Sequence, residues 1–445
     1  MADAGKLRGP HPLRPRVATG YRADLAMTSY AAIDFGTSNS AVCIGDSAAA
    51  SATLVALEGD RETLPTAVFF NADEHSVAFG RQAIAEYQAG YGGRLMRSLK
   101  SLLGSELINE TTIIEGQPVA YRDIISRFLN HLKRTAEAQA GGELSRVVLG
   151  RPVHFVDDNP ERDQLAEITL REIAEAVGFR DVRFQYEPIA AALDYERALT
   201  KDAVVLVADI GGGTSDFSVV RLGPGRARNL DRSGDVLANG GIHIAGTDFD
   251  QYLSLRSAMT CLGLGAPGRN GKQVPSQIYF ELSTWHQINF LYARKALADA
   301  QTLDIFYDQP VHHQRLMKVL REREGHRIAG LVEDAKVQVA DGGRARLDLD
   351  FIEDGLGIDI DGELLARAID AAIGKIVQTA IATVEDAGLD ASAIDAVYFT
   401  GGSTGIRALR AAISAAFDNA DTVMGDPFAS VARGLGVYAQ RLFRG

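Results

Sequence analysis

Apolar and polar positions along the chain fall into two kinds of run, and their order predicts an α/β fold. Apolar runs of strand length lead into glycine turns at three places. Residues 29–33 enter Asp34-Phe35-Gly36-Thr37-Ser38-Asn39, and 203–208 enter Asp209-Ile210-Gly211-Gly212-Gly213-Thr214-Ser215-Asp216. Residues 396–400 enter Gly401-Gly402-Ser403-Thr404-Gly405. Runs of this length bounded by turn residues read as buried strands. Two more strands are expected over 146–153 and 182–186. Helical spacing of Ile124, Ile125, Phe128, Leu129 and Leu132 predicts a helix over 121–139. Further helices are expected over about 160–177, stopped by Gly178, over 363–388, and over about 427–442. The segment 94–104 reads as a basic helix. Residues 246–360 read as predominantly helical and less regular, with a Gly/Pro-rich interruption at 263–275. Glu187 stands at a strand-to-helix junction with Pro188 at the first helical position, where a side chain protrudes into a cleft.

A lone Asp-x-Gly is first an ordinary hairpin turn. Two copies 175 positions apart in like strand contexts, the second a triple glycine followed by Thr-x-Asp, point to shared chemistry. Glycine lets consecutive N–H groups converge on an anion. A carboxylate at the mouth of such a turn holds Mg²⁺ through water, because that ion keeps much of its hydration shell. Two facing hairpins of this kind would clamp a polyphosphate and its metal.

Composition narrows the partners. The 445 residues are 46% hydrophobic and 23% charged, as in ordinary globular proteins, and suit more than one domain. A net charge of −12 without a basic stripe argues against nucleic acid. No apolar run reaches membrane-spanning length, so no membrane partner is expected. Two distant cysteines, Cys43 and Cys261, argue against a disulfide scaffold and fit a reducing, cytoplasmic setting. Residues 1–26 carry five basic side chains, three prolines and no apolar core, and read as a disordered tail or a start codon set too far upstream.

In this order, the motifs resemble those of the actin, hexokinase and heat-shock ATPase superfamily. Residues 31–40, Tyr186-Glu187-Pro188-Ile189-Ala190-Ala191-Ala192, the Asp209–Asp216 turn, Ala245-Gly246-Thr247-Asp248-Phe249-Asp250 and Gly401-Gly402-Ser403-Thr404 are similar to the nucleotide-binding domain of the seventy-kilodalton heat-shock chaperones, closest to shortened YegD-like members. The resemblance implies a two-lobed actin-like fold with a duplicated ribonuclease H-like core. Residues 27–202 would form lobe I, with an insertion at about 64–140. Residues 203–421 would form lobe II, with a helical insertion at about 246–360, and 422–445 a helix returning to lobe I.

The same resemblance implies ATP or ADP with Mg²⁺, and K⁺ as a further ion. Asp34 and Asp209 would hold the hydrated metal, supported by Asp216. Gly36, Thr37, Ser38, Gly211, Gly212, Gly213 and Thr214 would line the phosphates. Lys100, Glu187, Asp209 and Thr214 would be catalytic, with Glu187 positioning the attacking water. Gly246, Glu333, Lys336, Gly401, Gly402, Ser403 and Asp426 would contact the rest of the nucleotide. Asp248 and Asp426 also read as turn or cap residues.

Two departures bear on function. Where the family places arginines around the adenine, this chain has Val337 and Gly405, and Ala340 replaces a serine. A weaker grip on adenine is therefore expected. The chain also ends directly after the last expected helix, which leaves no peptide-binding domain in the expectation. A slow ATPase switch is the leading reading, with a nucleotide-sensing scaffold or a metabolite kinase as alternatives, and co-chaperone-like proteins as further partners. The aromatics of 246–330 are expected mainly in a core, and His286, His312, His313 and His326 at the surface.

Overall fold

The computed structural model describes residues 29–46, 51–156, 159–269 and 271–444. The reading of residues 1–26 therefore lies outside the described residues. The fold is mixed α/β, as expected.

Two five-strand paths repeat one plan. In the first, Tyr30–Phe35 pairs antiparallel with Asn39–Gly45, which pairs antiparallel with Thr53–Leu54. On its other side Tyr30–Phe35 pairs parallel with Arg146–Arg151, and that strand parallel with Asp181–Tyr186. In the second, Ala203–Ile210 pairs antiparallel with Ser215–Leu222, and that strand antiparallel with Val236–Ile242. Its other neighbour is Ala396–Thr400, parallel, followed by Asp421–Met424, also parallel. The order antiparallel, antiparallel, parallel, parallel thus occurs twice, consistent with the duplicated core that the resemblance implies.

The parallel strands need crossovers, and helices supply them. Pro160–Ala176 joins the parallel pair of the first sheet, opening with Asn159 capping the Arg162 N–H at 3.1 Å. Gly362–Asp386 precedes Ala396–Thr400 and opens with Asp361 capping Leu364 N–H at 2.7 Å. Such caps satisfy donors that a helix start leaves open. Between the sheets, Ile189 to Leu193 and the helix Ser430–Phe443 form an apolar layer with Tyr30, Val148, Val205, Val207 and Tyr398. Among the described residues no helix is long and apolar enough to cross a membrane.

Several local expectations are corrected. The segment 94–104 is not a helix: Gly93–Arg97 is a strand pairing with Ala67–Asn71, and Leu99–Leu102 is a single 3-10 turn. The fully buried partner strand draws Arg94 to Arg97 into a sheet, where pairing outweighs helical spacing. The helix at the Glu187 junction starts at Glu187 itself, with Pro188 second. The last helix begins at Ser430, after a turn built by Asp426. Residues 344–361 form a hairpin, Arg344–Asp348 with Gly357–Asp361, rather than helix.

The aromatics of the insertion divide. Tyr279 and Tyr307 are buried, their hydroxyls 2.5 Å apart, whereas Phe280, Phe290 and Phe306 are exposed. The histidines also depart from expectation. His313 and His326 are buried, with ring nitrogens 3.0 Å from Ala300 O and 3.2 Å from Asn289 Oδ1.

Candidate functional site

Both hairpin turns are fixed from behind. Thr66 holds the first, its hydroxyl donating to Gly36 O at 2.7 Å and its N–H to Ser38 O at 2.8 Å. In the second, Ser403 Oγ donates to Gly211 O at 2.7 Å, and Thr247 donates to Gly212 O through its N–H and its hydroxyl, both at 2.8 Å. Gly246 N–H adds a bond to Gly211 O at 3.2 Å. The carbonyls are therefore turned back into the protein. The N–H groups of Thr37, Ser38, Gly212 and Gly213 have no acceptor among the described residues.

The two turns face each other. A Cβ added to Gly212 would fall 2.6 Å from Ser38 Oγ, so a side chain there would displace the Ser38 hydroxyl. Gly401, left-handed at φ 87°, brings the third turn against Asp209, where a Cβ would lie 2.6 Å from Oδ1. The Gly36, Gly211, Gly246 and Ser403 segments are thus gathered at one place, and Gly402 packs on Phe428 beside them.

Carboxylates crowd the same place. Asp209 and Asp216 are direct cross-strand partners, an arrangement of like charges that ordinarily destabilises a sheet. Thr214 Oγ1 donates to Asp216 Oδ2 at 2.7 Å. Burial pushes the Asp34 carboxyl up to about 8, with Glu187 and Asp209 adding and Lys100 opposing. Burial likewise pushes Asp209 up to about 7, with Asp216 and Glu187 adding and Lys100 opposing.

Lys100 is the cation set among them. Ser98, left-handed at φ 55°, breaks the preceding strand and turns the chain so that Lys100 Nζ donates to Glu187 Oε1 at 2.5 Å. Burial works against its charge, yet Glu187, Asp34 and Asp216 hold its pKa above the usual value.

The donor set fits a hydrated cation better than a directly ligated one. Among the described residues no three His, Cys, Asp or Glu side chains form a ligand cluster. Four carboxylates share one ammonium; burial first, and then the neighbouring carboxylates, raise the pKa values of Asp34 and Asp209. All donors are oxygen, as Mg²⁺ prefers, and Mg²⁺ keeps several of its own waters.

Farther out, Lys336 is buried, 2.8 Å from Asp250 Oδ1, and donates to Gly246 O at 3.2 Å. Burial pushes Asp250 up to about 6, with Lys336 opposing and Glu333 adding. Glu333 is exposed on the same helix, and burial lowers the Arg97 pKa although Glu333 and Asp250 oppose this. Asp250 and Arg97 were not foreseen as site residues, although Asp250 lies in a recognised motif. Two expected acids are engaged locally. Asp248 accepts from Ala245 N–H at 2.9 Å, and Asp426 accepts from the N–H groups of Phe428 and Ala429, each at 3.0 Å. A separate cavity of about 670 Å³, lined in part by Arg197, Arg228, Leu230 and Arg441, touches none of these groups.

Duplicated sheets with carboxylate-bearing glycine turns define a mixed α/β protein built around a paired-hairpin site. Residues 104–257, about a third of the chain, match the model of the family described as Hsp70 protein. That stretch contains Glu187, the second hairpin turn, Gly246 and Asp250, and it supports a place in the Hsp70 family and the actin-like ATPase superfamily.

Proposed function

We propose that this chain binds ATP with Mg²⁺ between the two hairpin turns and hydrolyses it slowly, as a nucleotide-driven switch. The observation that carries this reading is the facing pair of turns with Thr37, Ser38, Gly212 and Gly213 N–H groups open as donors. Converging backbone donors are matched by phosphoryl oxygens.

Asp34 and Asp209 would hold the metal through its waters, with Asp216 in support. When bound, Mg²⁺ offsets charge on the phosphates. Glu187 orients the attacking water, and Lys100 fixes Glu187 while supplying positive charge. Thr214, fixed by Asp216, stands at the terminal phosphate. Gly246, Glu333, Lys336, Gly401, Gly402 and Ser403 line the nucleoside end. Residues 27–202 and 203–421 act as the two lobes, and 422–445 closes back on the first. The packing of Ser430–Phe443 against Glu187–Ala191 and Tyr30–Phe35 supports that assignment.

Phosphate release and thermal shift together test the reading. At a hundred times its Kd, MgATP should add about 2.7 kcal/mol of stability. Wild type should release phosphate, while Lys100→Ala and Asp209→Ala should not. Equal release by all three defeats hydrolysis, and absence of a MgATP shift in wild type defeats binding.

A further inference from the structure

The cavity of about 670 Å³ that lies apart from the hairpin turns is lined by Arg197, Arg228 and Arg441, with Leu199, Pro224 and Leu230 among them. Its volume falls within the roughly 300–1,000 Å³ that small-molecule sites occupy. Three pieces of chain meet there. The helix Leu193–Ala198 carries Arg197, the loop after the strand Ser215–Leu222 carries Pro224, Arg228 and Leu230, and the last helix carries Arg441. That loop is held on both sides. Arg441 donates to Ala227 O, and the Tyr438 hydroxyl donates to Leu230 O at 3.1 Å. At its start, Gly223 N–H donates to Glu196 at 3.0 Å.

The acids around the cavity are engaged elsewhere. Glu196 also lines it, but accepts from two nitrogens of the buried Arg232 at 2.8 and 3.0 Å. Asp202 and Asp235 bind Arg226, Asp235 binds Arg232 as well, and Asp231 accepts from Ser233. Asp194 stands 3.7 Å from Arg197 in an exposed pair, a contact of little strength. Arg228 is exposed, and no hydrogen bond or ion pair to its guanidinium occurs among the described residues. Burial lowers the Arg441 pKa; Glu196 opposes this, while Arg197 and Arg232 add to it. In a chain of net charge −12, this is a local excess of positive charge on a partly apolar wall.

We infer that the cavity binds a small organic anion, a carboxylate or phosphoryl group on an apolar body. Arg197 and Arg228 grip the acid, and Leu199, Pro224 and Leu230 cover the body. A guanidinium presents paired donors that match two oxygens of such a group. A free inorganic anion would leave the apolar wall unused, and a neutral apolar molecule would leave the arginines unanswered. The cavity touches none of the hairpin groups, so the inference stands apart from the nucleotide reading.

Calorimetric titration of the full chain with 3-phenylpropionate, phenyl phosphate, acetate and 3-phenylpropanol tests it. Wild type should bind at least one of the two aromatic acids, at least fivefold more tightly than acetate or 3-phenylpropanol, and the preferred acid identifies the anionic group. Arg228→Ala and Arg197→Ala should each weaken that acid about five- to tenfold, and Arg228→Lys should recover part of the loss. Ligand-free melting should be the same for the variants and wild type. Arg228→Ala and Arg197→Ala proteins that bind the acid like wild type place it elsewhere and overturn the inference. Equal binding of 3-phenylpropanol and the acids shows a merely apolar crevice and overturns it too, as does wild type binding neither acid.

Discussion

Lys100 Nζ lies 2.5 Å from Glu187 Oε1, joining a 3-10 turn to a helix start 87 positions further along the chain. Both side chains are largely shielded, at 11% and 14% exposure. Lys100→Ala removes a preorganised positive charge from the proposed reaction centre and is expected to lower turnover about 10²- to 10³-fold. Single-turnover phosphate release checks this. MgADP affinity should change far less, because the pair serves the reaction and not the base.

Asp216 stands opposite Asp209 in the second hairpin. Asp216→Asn relieves like-charge repulsion, so the ligand-free protein should gain a few tenths to about 1 kcal/mol. The same change should weaken the Mg²⁺-dependent part of nucleotide binding. Melting curves with and without MgATP, and again in EDTA, separate the two effects. A loss of ligand-free stability in Asp216→Asn would contradict the picture of an anionic site awaiting a cation.

His326 is pushed down to about 4 by burial and by Arg97, below an ordinary value near 6.5. Trp285, Tyr87 and Asn289 also face its ring. Below pH 6.5 the unfolded chain binds a proton that the folded one refuses. Stability is therefore full above 6.5 and falls towards pH 4, by up to about 1.4 kcal/mol per unit. Denaturant titrations at several pH values should show a flatter profile for His326→Gln across that window.

Glu196 is fully buried and accepts from two nitrogens of Arg232 at 2.8 and 3.0 Å and from Gly223 N–H at 3.0 Å. Arg232 also pairs with Asp235. Glu196→Gln leaves part of a buried guanidinium charge uncompensated and should cost about 3–5 kcal/mol. The urea midpoint should fall without a change in slope.

The sequence makes the site legible wherever chemistry and local geometry coincide. Asp34 and Asp209 each follow an apolar strand and precede a glycine turn, so strand, turn and carboxylate are read together, and the observed hairpins match. The pairing of Lys100 with Glu187 is long-range, and only the resemblance suggested it. Arg94 to Arg97 misled because helical spacing lost to pairing with the buried strand Ala67–Asn71. Val236–Ile242 passed unseen because its Asn-Gly-Gly stretch looks like a turn, although it completes the second sheet.

The contact between the helix Gly80–Gln88, the strand Gly93–Arg97 and the insertion has a practical consequence. Arg97 lies 5.1 Å over the Trp285 ring, His326 meets that ring edge-on at 4.6 Å, and Asn289 bonds Tyr87. Trp285 is the only tryptophan in the chain. Its emission therefore reports one seam of the molecule and nothing else. Drawing Arg97 away from the indole should change its intensity and wavelength together, so the protein carries an intrinsic optical gauge of that contact.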